Sequence, residues 1–223
     1  MIRIAGQAIA ILSWAWLVAP VAAAELSGTL VFSGKASDAL DRRAGIVYWV
    51  PDTAVDIAVP EEPIVVTTVR KEFLPRVVGV PVGGTVRFPN QDPILHNVFS
   101  VSGGNRFDLG LYGQGDGRDV TFEKPGLVRV FCNVHQEMVA YVLVLETPYF
   151  VAPGRDGGFR FDDLPAGSGK LVVWHERAKV RELPLTLPTS GPVKMALELT
   201  KPRVPDHLNK FGKPYKRRRG RRY

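Results

Sequence analysis

Cys132 is the only cysteine in a chain of 223 residues. It lies in the run Val130-Phe131-Cys132-Asn133-Val134-His135-Gln136-Glu137-Met138, so a thiol, an imidazole and a thioether fall within seven residues. The chain holds four His and three Met in all, and one of these is Met1. With no disulfide partner in the chain, Cys132 is a buried spare thiol, an intermolecular link, a nucleophile or a metal ligand held as thiolate. Its neighbours favour the last. Upstream, Phe88-Pro89-Asn90-Gln91-Asp92-Pro93-Ile94-Leu95-His96-Asn97-Val98-Phe99 places a second imidazole, His96, at the start of an apolar strand.

Short strands must position these groups. Ile64–Val69 is rich in β-branched residues, and Gly83-Gly84 turns into Thr85-Val86-Arg87-Phe88. Val98–Val101 follows His96, and Asp119–Phe122 comes next. Pro125-Gly126 turns into Leu127-Val128-Arg129-Val130-Phe131, an alternating strand that delivers Cys132 at its end. Val139–Leu145 closes the series. Gly and Pro together number 40, which suits many turns, and no helical period emerges after residue 24. The pattern predicts an all-β fold.

The four residues resemble the ligand pattern of the cupredoxins, the small blue-copper proteins. In that family one His comes from an upstream strand end, and a Cys, a second His and a Met come from one late loop. His96 matches the first, and Cys132, His135 and Met138 match the rest. The Cys-x-x-His-x-x-Met spacing is most similar to amicyanin, whereas plastocyanin has a longer His-to-Met gap. The similar region runs from about Pro63 to Glu146. The resemblance implies a Greek-key β-sandwich holding one type 1 copper on His96, Cys132, His135 and Met138, with electrons entering at the edge of His135. Two imidazoles, a thiolate and a distant thioether suit both Cu(I) and Cu(II). Asn97 could steady the site by a hydrogen bond, including one to the Cys132 sulfur. Glu137, a hard oxygen donor beside Met138, points to solvent or turns inward to replace it. A core cysteine with incidental neighbours and a zinc site are the competing readings, although zinc seldom takes Met.

The rest of the chain reads as three further parts. Arg3 is the only charge before Glu25, and an apolar core and Val21-Ala22-Ala23-Ala24 follow it. This is the layout of a secretory signal peptide over residues 1–24, cleaved after Ala24, and it predicts an exported, periplasmic protein. An uncleaved anchor is the alternative. Residues 147–200 carry Asp156-Gly157-Gly158-Phe159-Arg160-Phe161, a Leu164-Pro165-Ala166-Gly167 turn and the strand Lys170–Trp174. They resemble the carboxypeptidase regulatory, transthyretin-like β-sandwich. The expected arrangement joins residues 25–60 and 147–200 into one such sandwich, with the copper domain of 61–146 inserted. Contacts between Ile46–Val50 and Leu171–Trp174 separate this from two consecutive modules. His175, beside Trp174, is either packed or a second metal ligand, and His207 is given no role.

Residues 201–223 hold ten Lys/Arg against one Asp, which leaves 18 Lys/Arg against 21 Asp/Glu in residues 25–200. The overall charge of +7 therefore belongs to the tail, and a nucleic-acid-binding body loses its support. The tail is expected to be disordered, either merely solvated or binding an anionic membrane surface or an acidic redox protein. The leading function is a periplasmic one-electron carrier with a redox protein partner. The alternatives are copper storage or delivery, and a noncatalytic interaction module. An enzyme is not expected. Only His175 and His207 remain for a second copper centre, and no Ser/His/Asp group or carboxylate pair stands out.

Overall fold

The computed structural model describes residues 23–34, 44–200 and 204–215, and every helix or strand among them is a β-strand. Most of the expected signal peptide, residues 1–22, lies outside the described residues. The expected cleavage point after Ala24 falls inside the first strand, where Ala24 is buried opposite Leu164.

Two strands open the chain, β1 (Ala23–Ser33) and β2 (Gly45–Pro51). The central stretch supplies β3 (Ile64–Val65), β4 (Thr67–Val69), β5 (Glu72–Leu74), β6 (Val77–Pro81) and β7 (Thr85–Asn90). It continues with β8 (His96–Ser100), β9 (Phe107–Tyr112), β10 (Gly115–Thr121), β11 (Gly126–Cys132) and β12 (Val139–Leu145). The last five are β13 (Phe150–Val151), β14 (Gly158–Pro165), β15 (Gly167–His175), β16 (Arg181–Leu187) and β17 (Val193–Glu198).

The central strands form two sheets, β10-β7-β4-β5 with β3 on β7, and β6-β12-β11-β8-β9. Side chains alternate between the faces of a strand. On β11 this sends Val128, Val130 and Cys132 into the core between the sheets, with Val86, Phe88 and Phe122. Phe131 points the other way and is nevertheless buried. The seven residues of β12, Val139-Ala140-Tyr141-Val142-Leu143-Val144-Leu145, are all buried. An apolar residue at every position requires cover on both faces. Ala140, Val142 and Val144 pack into the central core, while Val139, Tyr141, Leu143 and Leu145 join Ile46 in a second cluster.

That second cover comes from strands at both ends of the chain. β1 lies between β14 and β17, antiparallel to the former and parallel to the latter. β2 runs antiparallel to β15, with Ile46 opposite Trp174 and Trp49 opposite Leu171. The resulting sheets, β14-β1-β17 and β13-β2-β15-β16, enclose Trp49, Leu26, Phe161 and Leu171. The strands that pair here come from before and after residues 64–145 in the sequence. Gly157 permits one close approach among them. Its φ is +83°, and a Cβ there would lie 2.4 Å from the Leu30 carbonyl oxygen, so only glycine fits. An ion pair crosses between the units, with Arg76 Nε donating to Glu176 Oε2 at 2.8 Å.

Within the tail expected over 201–223, residues 204–215 make contacts with the body of the chain. His207 stacks on Phe131 with ring centroids 3.9 Å apart, and Val204 packs against the cluster that contains Phe131. Residues 201–203 and 216–223 lie outside the described residues.

Candidate metal centre

Strand pairing brings the first two donors together. Cys132 on β11 is directly opposite Val98 on β8, so both side chains lie on the same face. His96 is two residues before Val98 and shares that face. The third donor comes from the turn after β11. Met138 N–H donates to His135 O at 3.1 Å, and Cys132 N–H reaches Met138 O at 3.4 Å. These bonds fold residues 133–138 back over the strand end and direct His135 toward Cys132.

The donor atoms form a tight triangle. Cys132 Sγ lies 3.7 Å from His96 Nδ1 and 3.8 Å from His135 Nδ1, and the two nitrogens are 3.2 Å apart. Metal–nitrogen bonds of about 2.0 Å and a metal–sulfur bond of about 2.3 Å are compatible with N···S edges of about 3.7 Å. The three residues therefore fit a first-row metal with little movement. Among the described residues this is the only cluster of three or more His, Cys, Asp or Glu donors so close together. Met138 is buried in the same core cluster as Cys132, while Glu137 is exposed and does not turn inward. His175 is elsewhere, buried in the flanking unit with its Nδ1 accepting from Arg177 N–H at 3.1 Å.

Asp92 decides how His96 is presented. Its Oδ2 lies 2.9 Å from His96 Nε2. An ionised carboxylate can only accept, so Nε2 carries the proton and Nδ1 turns a bare lone pair toward Cys132. Asp92 is itself held by the β4–β5 turn. Arg70 N–H donates to Oδ1 at 2.6 Å and Lys71 N–H to Oδ2 at 2.8 Å. Both turn residues have positive φ, 52° and 59°. That geometry suits a two-residue hairpin turn but not these side chains, and the carboxylate offsets it by accepting both N–H groups. Burial pushes the Asp92 carboxyl up, yet the N–H groups of Lys71 and Arg70 and the His96 ring outweigh it and hold it below the usual range. Sequence inspection passes over Asp92, although its i−4 spacing from His96 was available as a signal. Asp92→Asn is expected to weaken metal binding by about 10–100-fold, because an amide no longer enforces the tautomer. A metal competition titration checks this, and unchanged affinity would remove Asp92 from the site.

Asn97 does not serve the sulfur as expected. Its Nδ2 donates to Asp108 Oδ1 at 2.6 Å and to Gly110 O at 2.8 Å, which pins β8 to β9. The other Asp108 oxygen accepts from Lys210 Nζ at 2.7 Å. Burial raises the Asp108 carboxyl, but Lys210, Asn97 and the Gly110 N–H together hold it below its ordinary value. A lowered acid stabilises the fold fully above its unfolded value, about pH 4, and that contribution fades as pH falls through the folded value. Asp108→Asn is expected to flatten the acid limb of the stability profile below about pH 4. Denaturant melts at pH 3 and pH 6 test this, and equal losses at both would reject it.

Two tyrosines border the site. Tyr112, opposite His96, donates to Phe88 O at 3.0 Å. Tyr215 donates to the carbonyl of Cys132 at 3.1 Å. Burial, and then the charge of a Cys132 thiolate, push both phenols up, Tyr215 to about 12, so both remain protonated donors.

Neither a protein-family model nor a curated protein matches the sequence. Among solved structures the chain is similar to a Cu-containing nitrite reductase (NirK) from Thermus scotoductus SA-01. Identity is 25% and the TM-score 0.37, over 53% of this chain and only 28% of that enzyme. It is also similar to a purple cupredoxin from Nitrosopumilus maritimus, with 23% identity and a TM-score of 0.33, over 37% of this chain and 99% of that one. Amicyanin from Paracoccus versutus shows 23% identity and a TM-score of 0.35, over 44% of this chain and 98% of that one.

Proposed function

We propose that the chain is an exported mononuclear type 1 copper protein that carries single electrons in the periplasm. The observation that carries this reading is the triangle of Cys132 Sγ and two imidazole Nδ1 atoms with edges of 3.2–3.8 Å. His96, Cys132 and His135 would hold the ion, with Met138 as a fourth donor. When bound, copper supplies a one-electron couple between Cu(I) and Cu(II).

The chain's own groups keep the donors still while charge changes. His96 is fixed by Asp92, and Cys132 by the β8–β11 pairing. A donor set that does not need to rearrange suits rapid electron exchange. His135 is only part-buried and is flanked by exposed Val134. Leu95, next to His96, is exposed as well, so an apolar contact surface borders the part-buried imidazole. The flanking unit serves as a carboxypeptidase-regulatory-like scaffold that covers the far side of β12.

Copper reconstitution of the exported chain tests the reading. The expected result is one equivalent of Cu(II) with an intense sulfur-to-copper band, a narrow paramagnetic hyperfine splitting and fast electron self-exchange. A coloured protein with slow exchange would favour storage or delivery. A colourless protein that prefers zinc would overturn the copper reading.

A further inference from the structure

We propose that residues 204–215 form an outer clamp on the metal site, with Tyr215 as a positioning residue that holds the Cys132 peptide and the ligand loop behind it in their metal-binding geometry before an ion arrives. This rests on the copper-binding part of the reading above and adds the groups that decide how firmly the donors are held.

Three consecutive residues at the end of β11 are each held by this segment. The His207 ring lies flat on Phe131, with centroids 3.9 Å apart. Tyr215 Oη donates to the Cys132 carbonyl at 3.1 Å, and Lys210 N–H donates to Asn133 Oδ1 at 3.0 Å. The segment's own bonds set these positions. Asn209 Oδ1 accepts from Phe211 N–H and Lys213 N–H, Asn209 N–H donates to Lys213 O at 2.8 Å, and Gly212 at φ +71° completes the turn that presents Lys210 N–H. The Tyr215 ring meets His207 edge-on at 5.2 Å, so the hydroxyl is aimed from a packed ring. Lys210 Nζ is taken up by Asp108, whose other oxygen holds Asn97, the neighbour of His96. One segment therefore ties the strand end that carries Cys132 to the hairpin that carries His96.

The ligand loop needs such a partner. The ladders of β11 with β12 and with β8 end at Phe131 and Cys132, so sheet pairing holds the strand up to the thiol and not the residues beyond it. Val134, Gln136 and Glu137 are exposed. The bond that returns the loop to the strand, from Cys132 N–H to Met138 O, is long at 3.4 Å. Yet this loop must keep His135 Nδ1 within 3.8 Å of the sulfur. The Cys132 carbonyl belongs to the peptide that leads into the loop, so fixing its plane fixes the direction in which the chain leaves the strand. Burial pushes the Tyr215 phenol up, so its hydroxyl stays a donor beside a thiolate. Donors already in place lose no binding energy to being ordered, and outer partners of metal ligands are worth about 10–100-fold in affinity. Asp92 does this for the His96 ring; Tyr215 does it for the Cys132 backbone.

The full chain carrying Tyr215→Phe tests this, because it keeps the ring against His207 and removes only the hydroxyl. Cu(I) affinity, measured by competition with a chromophoric chelator, is expected to fall about 10-fold. In the metal-free protein, hydrogen exchange at the Cys132 and Met138 amides is expected to quicken by a similar factor, about 10-fold, while the amides of β1 and β14 keep their rates. A loss of general stability would instead quicken both sets together. A chain ending at Lys216, which keeps residues 204–215 and drops most of the basic run, is expected to match the parent in affinity. Unchanged affinity in Tyr215→Phe, unchanged exchange at Cys132 and Met138, or equal quickening of β1 and β14 would each overturn the proposal. So would an affinity loss in the chain ending at Lys216 as large as that in Tyr215→Phe, which would assign the effect to charge. A parent chain that binds no Cu(I) would refute the copper reading itself, and the exchange rates of the metal-free protein would still decide the clamp.

Discussion

Cys132→Ser is expected to abolish the intense visible band of the copper(II) protein and to lower copper affinity by more than the roughly 100-fold that loss of an outer-shell partner costs. The thiolate is the soft donor of the triangle, and it is the group whose charge can be transferred to Cu(II) on excitation. A serine hydroxyl in the same position is neutral and hard. It would also sit at the end of β11 where Cys132 has no exposed surface, with the ring nitrogens of His96 and His135 as its nearest polar neighbours. The metal-free variant should therefore keep its β spectrum, which separates a lost ligand from a lost fold. A band that survived the substitution would dismiss thiolate ligation.

Trp49→Ala is expected to destabilise the whole chain by about 3–5 kcal/mol. Trp49 is fully buried between the sheets of the flanking unit, and its carbonyl accepts from Thr147 Oγ1 at 2.7 Å. At about 2–4 °C per kcal/mol for a chain of this size, the melting midpoint should fall by roughly 6–20 °C. The effect should reach the metal centre, which contains no residue of that unit. β12 has one face in each core, and β2 and β15 contribute Ile46 and Trp174 to the shared cluster. Loss of the flanking unit would uncover Val139, Tyr141, Leu143 and Leu145 together. Calorimetry run beside the visible band of the copper protein checks this. Two transitions, with the band unaffected by the first, would show that the units are independent.

Several features were legible in the sequence for local reasons. Alternation along Leu127–Cys132 marked a strand that ends at the thiol, and the apolar run of Val139–Leu145 marked the closing strand, whose two covered faces only the structure showed. The short turn from Cys132 to Met138 could hardly avoid bringing His135 back toward the strand end. These inferences need only the period of a strand and the length of a turn. The structure alone settled where polar side chains find partners. Asp92 orients His96 because a hairpin 21–22 residues upstream gives its carboxylate two N–H groups. Asn97 turned to Asp108 rather than to the sulfur because β9 lies on that side. As composition the tail is a run of like charge, which favours solvent. His207 and Tyr215 lie within it, and their partners Phe131 and Cys132 are more than 70 residues away in sequence. Contacts over that distance leave no periodic trace in the chain. They are decided when a buried aromatic face and a free carbonyl are presented together on a folded surface.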